Sequence, residues 1–77
     1  MKEFNIAIRS FQEVQEFVSV ATVQPFQVMV GNDVQLVNAK SFIGMVSLDY
    51  SRPLRVLCDC DGDGFQNFRH QASRFLA

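Results

Sequence analysis

From Glu3 to Arg9 the apolar residues Phe4, Ile6 and Ile8 alternate with Asn5 and Ala7, the period of a half-buried strand. At Ser10 the period lengthens. Val14, Phe17, Val18 and Ala21 fall at i, i+3, i+4 and i+7, while Gln12, Glu13, Gln15, Glu16 and Ser19 occupy the other face, which predicts an amphipathic helix. Ser10-Phe11-Gln12-Glu13 reads as a capping box, with Ser10 accepting from the Glu13 amide and the Glu13 carboxylate reaching back. The helix is expected to end just before Pro25.

Two β-prone runs follow, Phe26 to Val30 and Val34 to Asn38, flanking Gly31-Asn32-Asp33. Those three residues tolerate the left-handed backbone of a tight turn, so the segment reads as a hairpin. Ser41 is positioned to cap a short helix from Phe42 to about Leu48, in which only Gly44 and Ser47 are not apolar. So short a helix has more apolar surface than one face can bury. After a loop from Asp49 to Pro53, the residues Leu54, Val56, Cys58 and Cys60 share one side of a fourth strand. Asp63 and Gln66 are then expected to cap a final helix in which Phe65, Phe68, Ala72, Phe75 and Leu76 repeat with helical spacing. The order is βαββαβα, which predicts an α+β fold: an open-faced β-sandwich whose four-stranded, mainly antiparallel sheet carries its helices on one face.

Composition adds limits. A chain of 77 residues supports one domain, residues 1–77, and its 48% hydrophobic content is rich enough for a packed core. Seven Lys and Arg against eight Asp and Glu leave a formal charge of −1, so no net field draws the chain to nucleic acid or to an anionic membrane. No apolar run approaches the roughly 20 residues needed to span a bilayer, and the first residues lack a signal-peptide core. A cytoplasmic location is the resulting expectation.

Candidate chemistry is sparse. Cys58 and Cys60, one residue apart on a strand, face the same way, too constrained for an ordinary disulfide, and read as reduced small hydrophobes. A closed zinc site needs about four ligands, and there is no second cysteine pair and a single histidine. Asp59-Cys60-Asp61-Gly62-Asp63-Gly64 resembles the start of a calcium loop, but its twelfth position, where a bidentate Glu belongs, is His70. His70 itself has no acid, base or nucleophile near it in sequence. No catalytic residue, cofactor or metal is expected, and the chain reads as a non-enzyme that works by contacting other proteins.

The element order and the segment Val37-Asn38-Ala39-Lys40-Ser41-Phe42-Ile43-Gly44-Met45-Val46-Ser47-Leu48 resemble the HPr family, the small phosphocarriers of the bacterial sugar phosphotransferase system. The likeness runs over nearly the whole chain. In that family a histidine in a Gly-x-His-x-Arg-Pro stretch at the start of the first helix carries the phosphoryl group. Here the stretch reads Ile8-Arg9-Ser10-Phe11-Gln12-Glu13, which places Ser10 at the phosphoacceptor position, Gln12 at the arginine and Glu13 at the proline. The resemblance therefore implies a degenerate, HPr-like member without a histidine relay. It further implies a regulatory phosphosite at Ser41, a partner-docking face at Phe42, Ile43 and Val46, and protein partners among the phosphotransferase enzymes, an HPr kinase or a catabolite-control regulator. A phosphocarrier using an atypical residue, and a structural relic without such partners, stay open as alternatives.

Overall fold

The computed structural model describes residues Met1–Ala77. Its elements are β1 (Lys2–Ile6), α1 (Phe11–Thr22), β2 (Val28–Gly31), β3 (Leu36–Asn38), α2 (Phe42–Val46), β4 (Leu54–Cys58) and α3 (Gly62–Gln71), followed by one 3₁₀ turn at Ser73–Phe75. The strands form one sheet in the order β1-β4-β2-β3, and every neighbouring pair is antiparallel. The expected α+β, open-faced arrangement is the one observed.

Strand alternation sets the layers. Phe4, Val56, Val30 and Val37 stand opposite one another across all four strands, and the first three are buried beneath the helices. Their strand neighbours Glu3, Asn5 and Arg55 are exposed, so only one face of the sheet is covered. The helices meet this face through Val14, Phe17 and Ala21 of α1, Met45 of α2 and Phe68 of α3. Six of the eight phenylalanines (Phe4, Phe17, Phe26, Phe65, Phe68 and Phe75) are joined by ring contacts. Phe68 is the hub, with Phe4, Phe17 and Phe26 at centroid distances of 5.5, 6.0 and 6.0 Å.

Several local expectations are corrected. β1 stops at Ile6 rather than Arg9, because the Ala7 amide turns away to donate to the Phe75 carbonyl at 2.8 Å; Ile8 is nevertheless buried. The hairpin is present with shorter strands, and no residue has a left-handed backbone. Its turn is closed by the Asn32 side chain, whose Oδ1 accepts from the Val34 and Gln35 amides at 2.8 and 2.9 Å. Gly31 is required by close approach rather than by dihedral angle, since a Cβ there would stand 2.2 Å from the Gln35 carbonyl oxygen.

α2 is one turn, ending at Val46, and Leu48 is buried beyond it. Neither Asp63 nor Gln66 caps α3. The helix begins at Gly62 after an extended Asp61 whose side chain makes no capping bond, and Asp63 lies inside the first turn, where its carboxylate complements the positive helix end. Phe75 and Leu76 do not continue α3 either. The helix stops at Gln71 because the chain beyond it pairs with β1: Leu76 bridges Ile6, and the Ala77 amide donates to the Asn5 carbonyl at 3.1 Å.

Candidate functional site

The two helix starts singled out by the sequence are built alike. Ser10 precedes α1 in extended conformation and its Oγ accepts from the Glu13 amide at 3.2 Å. Glu13 does reach back, one residue further than a capping box places it: its Oε1 accepts from the Arg9 amide at 2.8 Å, not from Ser10. Ser41 precedes α2 in the same way, its Oγ accepting from the Gly44 amide at 3.3 Å. Both serines are exposed.

The residue after each cap is a phenylalanine, and the two rings meet. Phe11 and Phe42 pack edge to face with centroids 5.5 Å apart, which ties the first turn of α1 to the first turn of α2. α2 is held from beneath by buried Met45 and by Tyr50, whose hydroxyl donates to the Met45 carbonyl. Burial pushes the Tyr50 phenol up to about 12, so it is a neutral donor at ordinary pH. With Met45 facing inward, the remaining apolar residues of the turn face outward: Phe42, Ile43 and Val46 are 36, 80 and 40% exposed, and Phe11 is 61% exposed. Thus all three residues of the expected docking face lie at the surface. Phe11, which the sequence reading used only as part of the Ser10-to-Glu13 cap, joins them through its contact with Phe42. The only signal available was its place in the first helical turn.

Beside this patch lies a depression of about 440 Å³, lined by Ile8, Arg9, Ser10, Phe11, Val14, Val46 and Tyr50. Arg9 is the charged group on its rim and enters no ion pair; the two ion pairs of the chain join Arg55 to Asp33 and Arg74 to Glu16. Lys40, although next to Ser41, is committed elsewhere, with Nζ donating to the Gln24 carbonyl at 2.7 Å.

The other titratable candidates lie apart. His70 is exposed in the last turn of α3; its neighbour Gln71 bonds Gln24 at 2.9 Å beyond the C-terminal end of α1, a helix length of about 18 Å from the Ser10 end. Burial pushes the Cys58 thiol up to about 12, and burial together with the Asp61 and Asp59 carboxylates raises Cys60. Neither is an activated nucleophile. Nowhere do three His, Cys, Asp or Glu side chains converge on one point. The arrangement around α1 and α2 has no nucleophile paired with a base. Chemically it offers an apolar contact surface bordered by two hydroxyls and one free guanidinium.

No protein-family model and no curated protein matches the chain. Among solved structures it is similar to the crystal structure of HPr-C-His from Thermoanaerobacter tengcongensis, with a TM-score of 0.73 and 26% identity over 91% of this chain and 89% of that one. The fold is HPr-like. The likeness covers most of the chain, so the expected architecture and the solved neighbour agree. No helix is long and apolar enough to cross a membrane.

Proposed function

We propose that this chain is an HPr-like protein related to the sugar phosphotransferase system that acts as a non-enzymatic regulatory or adaptor module, docking protein partners through the α2 face and relaying no phosphate through a histidine. The observation that carries the proposal is the exposed cluster of Phe11, Phe42, Ile43 and Val46 around the two capped helix starts, on a chain whose core already holds four buried phenylalanines with two more packed against it. Apolar side chains left in water as a contiguous patch mark contact surfaces. Ser41 borders that patch, so a phosphate added there would place close to two negative charges beside it and alter which partner it accepts. That makes Ser41 the regulatory site of this reading.

Two features support the absence of a relay at Ser10. Its hydroxyl already accepts from the Glu13 amide, and the Glu13 carboxylate takes the Arg9 amide, so two of the amides around this helix start are already engaged. The Glu13 carboxylate would also repel a dianion. His70, the sole histidine, sits toward the opposite end of the helix layer.

Intact-mass analysis after incubation with ATP and an HPr kinase, and separately with phosphoenolpyruvate and enzyme I, tests the proposal. A stable phosphate from the kinase alone, lost in Ser41→Ala, is the expected result. Labelling by enzyme I would overturn the proposal in favour of a relay, and no mass shift in either incubation would remove Ser41 as its regulatory site.

A further inference from the structure

The surface carries three depressions, and they differ in chemistry. The one beside Cys60, about 530 Å³, is lined mainly by polar residues, among them Asp59 and Asp61. The one between α1 and the last turn of the chain, about 320 Å³, has its charges spent on each other, Arg74 on Glu16. The depression at the start of α1, about 440 Å³, is lined mainly by apolar side chains, and it alone has a cation without an ion-pair partner, Arg9.

Its apolar part forms a bed. Ile8 and Val14 are buried and make the floor, while Phe11 and Val46 stand partly exposed at the sides. Water over such a floor finds few hydrogen-bond partners, so an apolar group that displaces it is favoured. The volume also falls in the range of small-molecule sites, about 300–1,000 Å³.

The polar part offers donors. Tyr50 has spent its proton on the Met45 carbonyl. Ser10 Oγ accepts from the Glu13 amide, which leaves its O–H to donate. Arg9 is exposed, and its guanidinium makes no hydrogen bond or ion pair within the chain. No acidic residue lines the depression; Glu13, close by in sequence, turns its carboxylate to the Arg9 backbone amide. That carboxylate weakens the long-range pull of Arg9. What remains is the short-range, paired hydrogen bonding that a guanidinium offers a planar carboxylate.

We propose that this depression binds a small monocarboxylate with an apolar body, the body lying on Ile8 and Val14 between Phe11 and Val46 and the carboxylate pairing with Arg9 and accepting from Ser10. Binding forms and breaks no covalent bond. The proposal goes beyond the regulatory reading and stands apart from it, since neither Ser41 nor a protein partner takes part.

NMR titration of the isotope-labelled full chain with phenylacetate, with neutral phenylacetamide as the control, tests it. Saturable shifts centred on the amides of Ile8 to Phe11 and of Val46 are expected, with the acid bound about fivefold more tightly than the amide, the upper end of what an exposed ion pair contributes. Arg9→Gln should bring the two ligands to equal affinity, and Arg9→Glu should make phenethylamine the preferred ligand. Arg9 is exposed and both changes keep the backbone amide from which Glu13 accepts, so the fold is retained. Absence of saturable shifts at these residues, equal affinity of the unchanged chain for acid and amide, or an undiminished preference for the acid in Arg9→Gln would each overturn the proposal. Shifts confined to Phe42 and Ile43 would overturn it too, as adhesion to the exposed patch.

Discussion

Two phenylalanine pairs in this protein have nearly the same geometry and opposite surroundings. Phe4 and Phe68 meet edge to face at 5.5 Å with planes at 67°, deep between sheet and helices; Phe11 and Phe42 meet at 5.5 Å with planes at 81°, at the surface. Edge-to-face contact adds only about 0.5–1.5 kcal/mol beyond buried area, so ring geometry does not tell a core pair from a contact surface. Burial does. At the first pair three elements close over the rings, whereas at the second a one-turn helix has already spent its inward direction on Met45 and leaves its other apolar residues in water.

The sharpest way to break this comparison is truncation. Phe68→Ala should cost about 3–5 kcal/mol, because a hub ring with three aromatic neighbours leaves a cavity. Phe42→Ala should cost less than about 1 kcal/mol, since most surface changes are small. Urea unfolding of both variants measures the difference, and equal losses would place Phe42 in the core after all. Charge insertion sharpens it from the other side. Ile43→Asp should leave the unfolding midpoint nearly unchanged yet slow Ser41 modification by the kinase about tenfold, which corresponds to about 1.4 kcal/mol of docking.

The caps should respond more weakly and alike. Ser10→Ala and Ser41→Ala each remove one amide partner and should each cost about 1 kcal/mol, read from thermal or urea unfolding. A clearly larger loss at Ser10 would mean that its bond and the Glu13–Arg9 bond act as a unit. Alkaline pH should give the smallest effect near neutrality and distinguish the two ends at its extreme. Cys58 and Tyr50, both raised to about 12 from ordinary values of 9.0 and 10.0, keep their protons in the folded chain while the unfolded chain releases them. The unfolded state then binds fewer protons, so the stability these groups contribute is intact below about pH 9 and falls as pH rises towards 12. Tyr50→Phe should flatten the upper part of that decline without changing its onset, as followed by thermal unfolding at stepped pH.

Much of the architecture was legible from local rules. Period-two alternation placed β1 and β4, the stripe of Val14, Phe17 and Ala21 placed α1, and the serines before Phe11 and Phe42 marked both helix starts with the bonds later observed. Of the candidate site, the two serine caps were legible from local rules, whereas the exposure of Phe42, Ile43 and Val46 and the contact of Phe11 with Phe42 depend on how α1 and α2 pack. The failures share a cause. Phe75 and Leu76 kept helical spacing with α3, but backbone pairing to β1, some seventy residues earlier, took them out of the helix. The hairpin turn met its hydrogen-bond needs through the Asn32 side chain, an option that composition does not distinguish from a left-handed backbone.

The sequence by itself thus determined which segments become helix or strand, because periodicity, caps and turn residues act over a few neighbours. The strand order β1-β4-β2-β3, the end of α3, and the choice of which phenylalanines stay in water were decided only in the tertiary structure. Burial depends on what covers a residue, and here the covering groups come from segments far apart in the chain, as when Gln24 bonds Gln71 across 47 residues.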